Sequence, residues 1–261
     1  MHDYTLADRL AAGETVYTVW SSIPETGLLE QFALGPFGAV TLDMQHGGHH
    51  VDSVLNGMVP VIKSGKAAVV RVPLGDFGMA SRALDFGADA VIAPMINSVE
   101  DAIAFRDAMK YPPLGGRSWG VSRALQVRGV PGGPGYLKSA NAKTVSFAMI
   151  ETREAFEIAE DIAAIDGIDG LFLGPSDFSI AWSGGATVDP ALADMQDAVV
   201  RIADIARSAG KHAGAFAANP AKVPQYAELG YRFISVAMDF SILAEGQKAV
   251  LAAAGAAQQG S

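Results

Sequence analysis

Four short stretches of the sequence carry side chains suited to chemistry. LDMQHGGHH, residues 42–50, gathers an aspartate, an amide and three of the chain's five histidines around a pair of glycines. It reads as a three-histidine metal site, as one catalytic base among bystanders, or as a polar turn. MIET and LGPSD end apolar runs in carboxylates, Glu151 and Asp177. Two carboxylates with waters and a bidentate oxygen substrate suit a hard dication such as Mg²⁺ or Mn²⁺ and leave positions open for chemistry. Co²⁺ and Zn²⁺ follow, zinc being less favoured because no histidine accompanies the pair. VVRVP sets Arg71 within an apolar run. A guanidinium buried there needs an anionic partner: a substrate oxygen that becomes an enolate, or a salt bridge to Asp43 or Glu151.

Each stretch closes a run of apolar, often β-branched residues, and such runs recur along the whole chain. They are TVYTVW from residue 15, GAVTLDM from 38, AAVVRV from 67, DAVIAPM from 89, TVSFAMIE from 144, GLFLGP from 170, HAGAFA from 212 and FISVAMD from 233. Continuous rather than alternating, they predict parallel strands buried on both faces. Helical patterns lie between them. Ser98 precedes VEDAIAFRDAMKY with Asp101 at capping-box spacing, and Pro190 opens ALADMQDAVVRIADIARSAG, which Gly210 closes. Eight β/α units in 261 residues match an α/β fold of the (β/α)8 TIM barrel type, typically ~250 residues long. A doubly wound sheet is the runner-up. No low-complexity linker divides the chain, so residues 1–261 are read as one domain. It carries a long irregular glycine- and proline-rich connection near 112–141 and an alanine-rich C-terminal helix near 241–257.

Such a barrel sorts polar residues by strand end, because its chemistry is built where the strands exit. Trp20, Asp43, Gln45, His46, Arg71, Glu151, Gly174, Pro175, Asp177 and Asp239 fall at exits, whereas Lys66, Lys143 and Lys211 fall at entrances. A Schiff base needs a lysine in the pocket, and no exit supplies one. Neighbouring strands lie roughly 4.8 Å apart, so Glu151 and Asp177 on consecutive strands can reach one cation; otherwise they only cap the helices that follow. In LGPSD the chain turns so that the N–H groups of Ser176 and Asp177 open a helix, an end that suits a carboxylate. Of the three histidines only His46 lies at the strand exit. His49 and His50 run into the next helix, where adjacent side chains point about 100° apart, so the three do not converge on one ion. His46 is therefore read as the base, His49 and His50 as solvated residues at the helix start.

Composition narrows the class of function. A net charge of −9 and a pI near 5.0 repel nucleic-acid backbones and anionic membranes. The absence of cysteine removes thiolate ligands, thiol nucleophiles and disulfides. The start MHDYTLADRL has no apolar segment of the secretory kind, and no run approaches the ~18 apolar residues of a membrane span. The expectation is a cytoplasmic enzyme of small molecules.

The motifs LDMQH, VVRVP, ALDFGADAVIAPMI, MIET and LGPSD occur in an order that closely resembles the HpcH/HpaI aldolase family, metal-dependent class II pyruvate aldolases of the phosphoenolpyruvate/pyruvate barrel superfamily. The resemblance runs from about Leu6 to the C-terminal helix. It implies Glu151 and Asp177 as metal ligands, Arg71 on the keto oxygen, His46 as the base, and the Ser176 and Asp177 amides on the pyruvate carboxylate; Gly174, Pro175 and Trp20 complete the expected substrate site. It also implies that Asp85, in ALDFG, orients the histidine. Within one chain Asp85 ends a helix at the entrance face. The family pairs the histidine with an aspartate from a neighbouring subunit, which implies a homo-oligomer, a hexamer built as a trimer of dimers with exchanged C-terminal helices. Two departures stand out, Gln45 where many members have Glu and Met149 where they have Gln. The implied reaction is cleavage of a 4-hydroxy-2-oxo acid to pyruvate, or a close 2-oxo acid such as hydroxypyruvate, plus an aldehyde, and its reverse. One rival is a CoA-thioester lyase of the malyl-CoA or citramalyl-CoA type, for which only the 112–141 segment offers nucleotide contacts. Another is a non-catalytic ligand-binding barrel, which should have lost one of His46, Arg71, Glu151 and Asp177; all four are present.

Overall fold

The computed structural model describes residues 5–255. Every apolar run forms a strand: β1 Val16–Ser21, β2 Ala39–Asp43, β3 Ala67–Arg71, β4 Ala90–Ala93, β5 Val145–Ile150, β6 Gly170–Leu173, β7 His212–Phe216 and β8 Phe233–Met238. All neighbours are parallel and in chain order, and β8 closes on β1. That closure, with helices between the strands, makes the fold a (β/α)8 barrel and removes the doubly wound alternative, which is an open sheet.

The strands are mostly apolar, with small buried hydroxyls such as Thr18, Thr41 and Ser146, because each of their two faces lines a different core. Inward residues, among them Val16, Val69, Ile92, Phe147, Phe172 and Phe233, fill the lumen. Phe147 stacks on Phe233 with ring centroids 5.3 Å apart. The short helix Leu6–Ala11 seals the entrance end with Leu6 and Leu10. Outward residues such as Val40, Leu42, Val70 and Leu171 pack beneath the helices against Val54, Met58 and Ile202. Alternate residues of a strand share a face. Continuing the inward series past the last apolar layer brings Trp20, Asp43, Arg71 and Glu151 to the exit rim.

Three expected elements differ in detail. The 112–141 segment is not irregular throughout but holds the helices Ser122–Arg128 and Pro134–Lys143. Gly129 ends the first at φ 65 and Pro134 opens the second, so glycine and proline punctuate helices rather than abolish them. The helix expected from Pro190 starts at Gln196, because Asp189 turns the chain by accepting the Ala191 N–H at 2.9 Å and a 3₁₀ turn, Ala193–Met195, intervenes. Ser98 does cap Val99–Met109, accepting the Asp101 N–H at 3.0 Å. The C-terminal helix is Asp239–Ala253; residues 256 and 257 of its expected span lie outside the described residues. No described helix is long and apolar enough to cross a membrane.

Candidate active site

Asp43 and Arg71 are the centre of the exit rim. They are register partners across β2 and β3, and the guanidinium donates from Nε to Oδ1 at 2.8 Å and from Nη2 to Oδ2 at 2.6 Å. Trp20 Nε1 donates to the same Oδ2 at 3.2 Å, and the guanidinium lies over the Trp20 ring at 4.9 Å. Trp20, expected to touch substrate, is itself buried: as an inward strand residue it lies under the ion pair. Burial alone would push the Asp43 carboxyl up, but the Arg71 hydrogen bonds and charge, with the Gln45 N–H, hold it below the usual carboxylate range. Of the two carboxylates open to Arg71 in sequence, Asp43 and Glu151, the structure pairs it with Asp43.

The carboxylates of Glu151 and Asp177 follow β5 and β6, neighbours in the barrel. Glu151 is buried and accepts the Met95 N–H at Oε1, 2.7 Å away. Burial pushes its carboxyl up to about 7, the Met95 bond and Arg71 acting against the rise and the Asp177 charge adding to it. Gly174 makes this crowding feasible. A Cβ there would lie 2.4 Å from Glu151 Oε2 and 2.8 Å from Met149 Cε, so only glycine lets the backbone pass the carboxylate. Pro175 then begins the helix Pro175–Trp182, with Ser176 and Asp177 in its first turn and Asp177 exposed. Met95 adopts φ 53, a left-handed conformation rare outside glycine; no feature of the APMI stretch marks it in the sequence.

These residues fit a hard dication. Two carboxylate donors are supplied, one of them under electrostatic pressure that a positive charge relieves. On the same rim Gln45 keeps a buried Oε1 with no hydrogen-bond partner among the described residues. Among the described residues no three His, Asp or Glu side chains form a cluster able to hold a metal by themselves, so any ion bound to this pair would complete its shell with water or substrate oxygen.

The histidines separate as their backbones dictate. His46 is exposed, and its ring makes no hydrogen bond among the described residues; its N–H donates to Asp43 Oδ1 at 3.3 Å. His50 is exposed at the start of the helix Val51–Lys63. His49, expected to be solvated, is buried between Ser21 Oγ at Nε2, 3.0 Å, and Ser53 Oγ at Nδ1, 3.1 Å. The extended backbone before the helix turns it inward while its neighbours face out. Burial lowers its pKa to about 4, against the raising charges of Asp239 and Asp43. The three rings do not converge.

Asp85 is not brought to His46 within the chain. It ends the helix Phe77–Phe86, ahead of the β4 entrance, and its Oδ1 accepts from Arg117 Nη2 at 2.7 Å. Arg117 in turn stacks on Tyr111 at 4.7 Å.

A family model described as HpcH/HpaI aldolase/citrate lyase matches residues 17–245, nearly the whole barrel. The chain belongs to this family. Among HpcH/HpaI relatives, one named hydroxypyruvate/pyruvate aldolase from Rhizorhabdus wittichii is 32% identical over 241 residues, covering 92% of this chain and 94% of its own. A relative from Salmonella heidelberg named 4-hydroxy-2-oxo-heptane-1,7-dioate aldolase is 32% identical over 253 residues, covering 95% and 94%. The crystal structure of an HpcH/HpaI aldolase/citrate lyase family protein from Burkholderia cenocepacia superposes with a TM-score of 0.85 at 27% identity, covering 96% of this chain and 99% of that one.

Proposed function

We propose that this HpcH/HpaI family member is a divalent-metal-dependent carbon–carbon lyase that cleaves 4-hydroxy-2-oxo acids to pyruvate or hydroxypyruvate and an aldehyde, and catalyses the reverse addition. The reading is carried by one observation: a buried carboxylate with a raised pKa, Glu151, shares the exit rim with Asp177 and with a guanidinium already oriented by Asp43. Glu151 and Asp177 would hold the ion, Mg²⁺ or Mn²⁺ by the hardness of their oxygens. When bound, it supplies a Lewis acid against the keto oxygen of the substrate.

The remaining chemistry belongs to side chains and backbone. Cleavage of the bond between carbons three and four turns the keto oxygen into an enolate oxygen. Arg71 meets that developing charge with a planar fork that needs no reorganisation, since Asp43 and Trp20 hold it beforehand. The first-turn N–H groups of Ser176 and Asp177, beyond Gly174 and Pro175, bind the substrate carboxylate. His46, exposed at the rim, takes the proton of the carbon-four hydroxyl during cleavage and returns it during addition, directly or through water. The names of the two relatives support this reaction, and the small-molecule reading is favoured over the CoA thioester. Arg117 and Arg128, basic residues of the 112–141 segment, are already paired with Asp85 and Asp89 at 2.7 and 2.8 Å.

The working form is a cytoplasmic homo-oligomer in which Asp85 serves the His46 of a neighbour. Supporting this, the C-terminal helix buries only its first residue and exposes Phe240, Leu243, Val250 and Leu251, an apolar surface suited to exchange between subunits.

Pyruvate release from a panel of 4-hydroxy-2-oxo acids, with and without EDTA, tests the assignment. Turnover lost in EDTA and restored by Mg²⁺ or Mn²⁺ is expected; full activity in stripped protein, or no cleavage of any panel member, would overturn it.

A further inference from the structure

Asp239 is a fully buried carboxylate to which the reaction above gives no part. It begins the C-terminal helix at the exit of β8. Its Oδ2 accepts the N–H of Ser22 at 2.6 Å, the N–H of Ile23 at 2.7 Å and the Ser21 hydroxyl at 3.2 Å, while Oδ1 accepts the Phe240 N–H at 2.8 Å. Such a set of donors compensates a desolvated carboxylate. The Ser21 hydroxyl also ties the neighbouring ring to this carboxylate: Ser21 Oγ lies 3.0 Å from His49 Nε2, and Ser53 Oγ lies 3.1 Å from Nδ1.

The carboxylate therefore fixes the backbone of Ser21–Ile23, and that backbone carries the histidine loop. Ser22 O accepts the Gly48 N–H at 2.7 Å. A Cβ on Gly47 would lie 2.5 Å from Asp43 O and 3.0 Å from the Ser22 Cα, so the loop rests directly on that strand exit with no side chain between. At its other end Asp43 Oδ1 accepts the N–H groups of Gln45 and His46 at 3.0 and 3.3 Å. The loop bearing His46 thus hangs between two buried carboxylates, Asp43 directly and Asp239 through Ser22. The His46 ring has no hydrogen bond of its own among the described residues, so its placement depends on this backbone suspension.

We propose that Asp239 is a positioning residue for His46, acting through the Ser22 carbonyl and the Gly48 N–H; the inference rests on the reading of His46 as the base. Because Asp239 is also the first residue of the C-terminal helix, one carboxylate sets both the seat of that helix and the geometry of the base.

The experiment separates base-dependent from base-independent chemistry at the same site. Cleavage of a 4-hydroxy-2-oxo acid, and exchange of the pyruvate methyl protons with D₂O, each need a proton moved by the base. Decarboxylation of oxaloacetate reaches the same enolate by losing CO₂, with no proton removed beforehand. For Asp239→Asn, whose amide nitrogen must face at least one backbone N–H that the carboxylate accepted, kcat for cleavage and the methyl exchange rate are expected to fall together by about 10–100-fold, as for other supporting hydrogen-bond partners. KM for the 2-oxo acid and the decarboxylation rate should stay within about twofold. In a His46→Ala background Asp239→Asn should add no further loss, because both changes remove one function. Equal loss of decarboxylation, multiplying losses in the double variant, or unchanged exchange would each overturn the proposal. If His46→Ala itself keeps normal exchange, the reading of the base fails instead, whatever Asp239→Asn does. Should Asp239→Asn fail to fold, Ser21→Ala removes one donor and leaves the backbone bonds from Ser22, Ile23 and Phe240. A smaller loss with the same split is then expected, and an unsplit or absent effect overturns the proposal.

Discussion

Asp43 and Arg71 occupy the same register on adjacent strands and meet through two parallel hydrogen bonds inside the rim of the barrel. Both are buried, so removing one strands the charge of the other. Asp43→Ala is expected to cost about 3–5 kcal/mol of stability, the usual penalty for an uncompensated buried ion. kcat/KM should fall with it, since the guanidinium loses its orientation. Asp43→Asn retains an acceptor and should lose less of both. Urea denaturation and pyruvate release on the two variants check this; an Asp43→Ala protein as stable as the parent would show that Arg71 is held by something else.

Glu151 and Gly174 make a second testable pair. Gly174→Ala forces a methyl group onto Glu151 Oε2, 2.4 Å from the ideal Cβ position, and is expected to weaken Mn²⁺ binding by about tenfold or more. Glu151→Ala should abolish it. The Glu151 carboxyl titrates near 7 in the folded chain, above its ordinary 4.5. Below that value the protonated form is favoured without metal, and Mn²⁺ must displace a proton. Titration calorimetry should find binding tightening from pH 6 to pH 8, about tenfold per unit at most while the group is protonated. Pair variants that bind Mn²⁺ as the parent does would place the ion elsewhere.

Much of this site could be read before any fold was known, for a definite physical reason. Strands buried on both faces carry no charge until their exits, so Asp43, Arg71 and Glu151 stand out as the first charged inward positions of their runs. Other features leave no such mark. The left-handed Met95 that donates to Glu151 looks like any residue of an apolar turn. His49 and His50 are adjacent and chemically alike, and only the path of the chain into the helix decides that one is buried. Arg117 finds Asp85 across the 112–141 segment, which reads as irregular because its glycines conceal two short helices. Asp239 stands out as an exit residue, but three of its four donors, Ser21, Ser22 and Ile23, come from the exit of β1 across the barrel closure.

His49 supplies a pH signature. Its pKa is lowered from 6.5 to about 4 by burial, so between those values the unfolded chain binds the extra proton. The stabilisation is fully present above pH 6.5 and is lost as the pH falls toward 4. A shift of this size corresponds to about 3 kcal/mol. Chemical denaturation of the parent should show stability declining over that window, and His49→Gln, with no titrating ring, should flatten the decline whatever its stability at pH 7. Parallel pH profiles for the two proteins would contradict the buried neutral histidine.

The proposed partnership between subunits is the hardest test of the reading. Asp85 sits before the entrance of β4, whereas His46 lies at the opposite end of its own barrel, so an Asp85 that orients this histidine must belong to another copy. Asp85→Asn and His46→Ala are each expected to be nearly inactive, the first with its fold retained because the amide oxygen can still accept from Arg117, its partner at 2.7 Å. After dissociation, mixing in equal amounts and reassembly, some sites join the intact His46 of one chain to the intact Asp85 of another. Random pairing makes about a quarter of the sites complete, given an interface in which each chain serves its neighbour, and activity should return to about that fraction. Native mass spectrometry verifies the exchange. Mixed oligomers that form and stay inactive would leave Asp85 only its local bond to Arg117, and His46 would have to act without an aspartate from a neighbour.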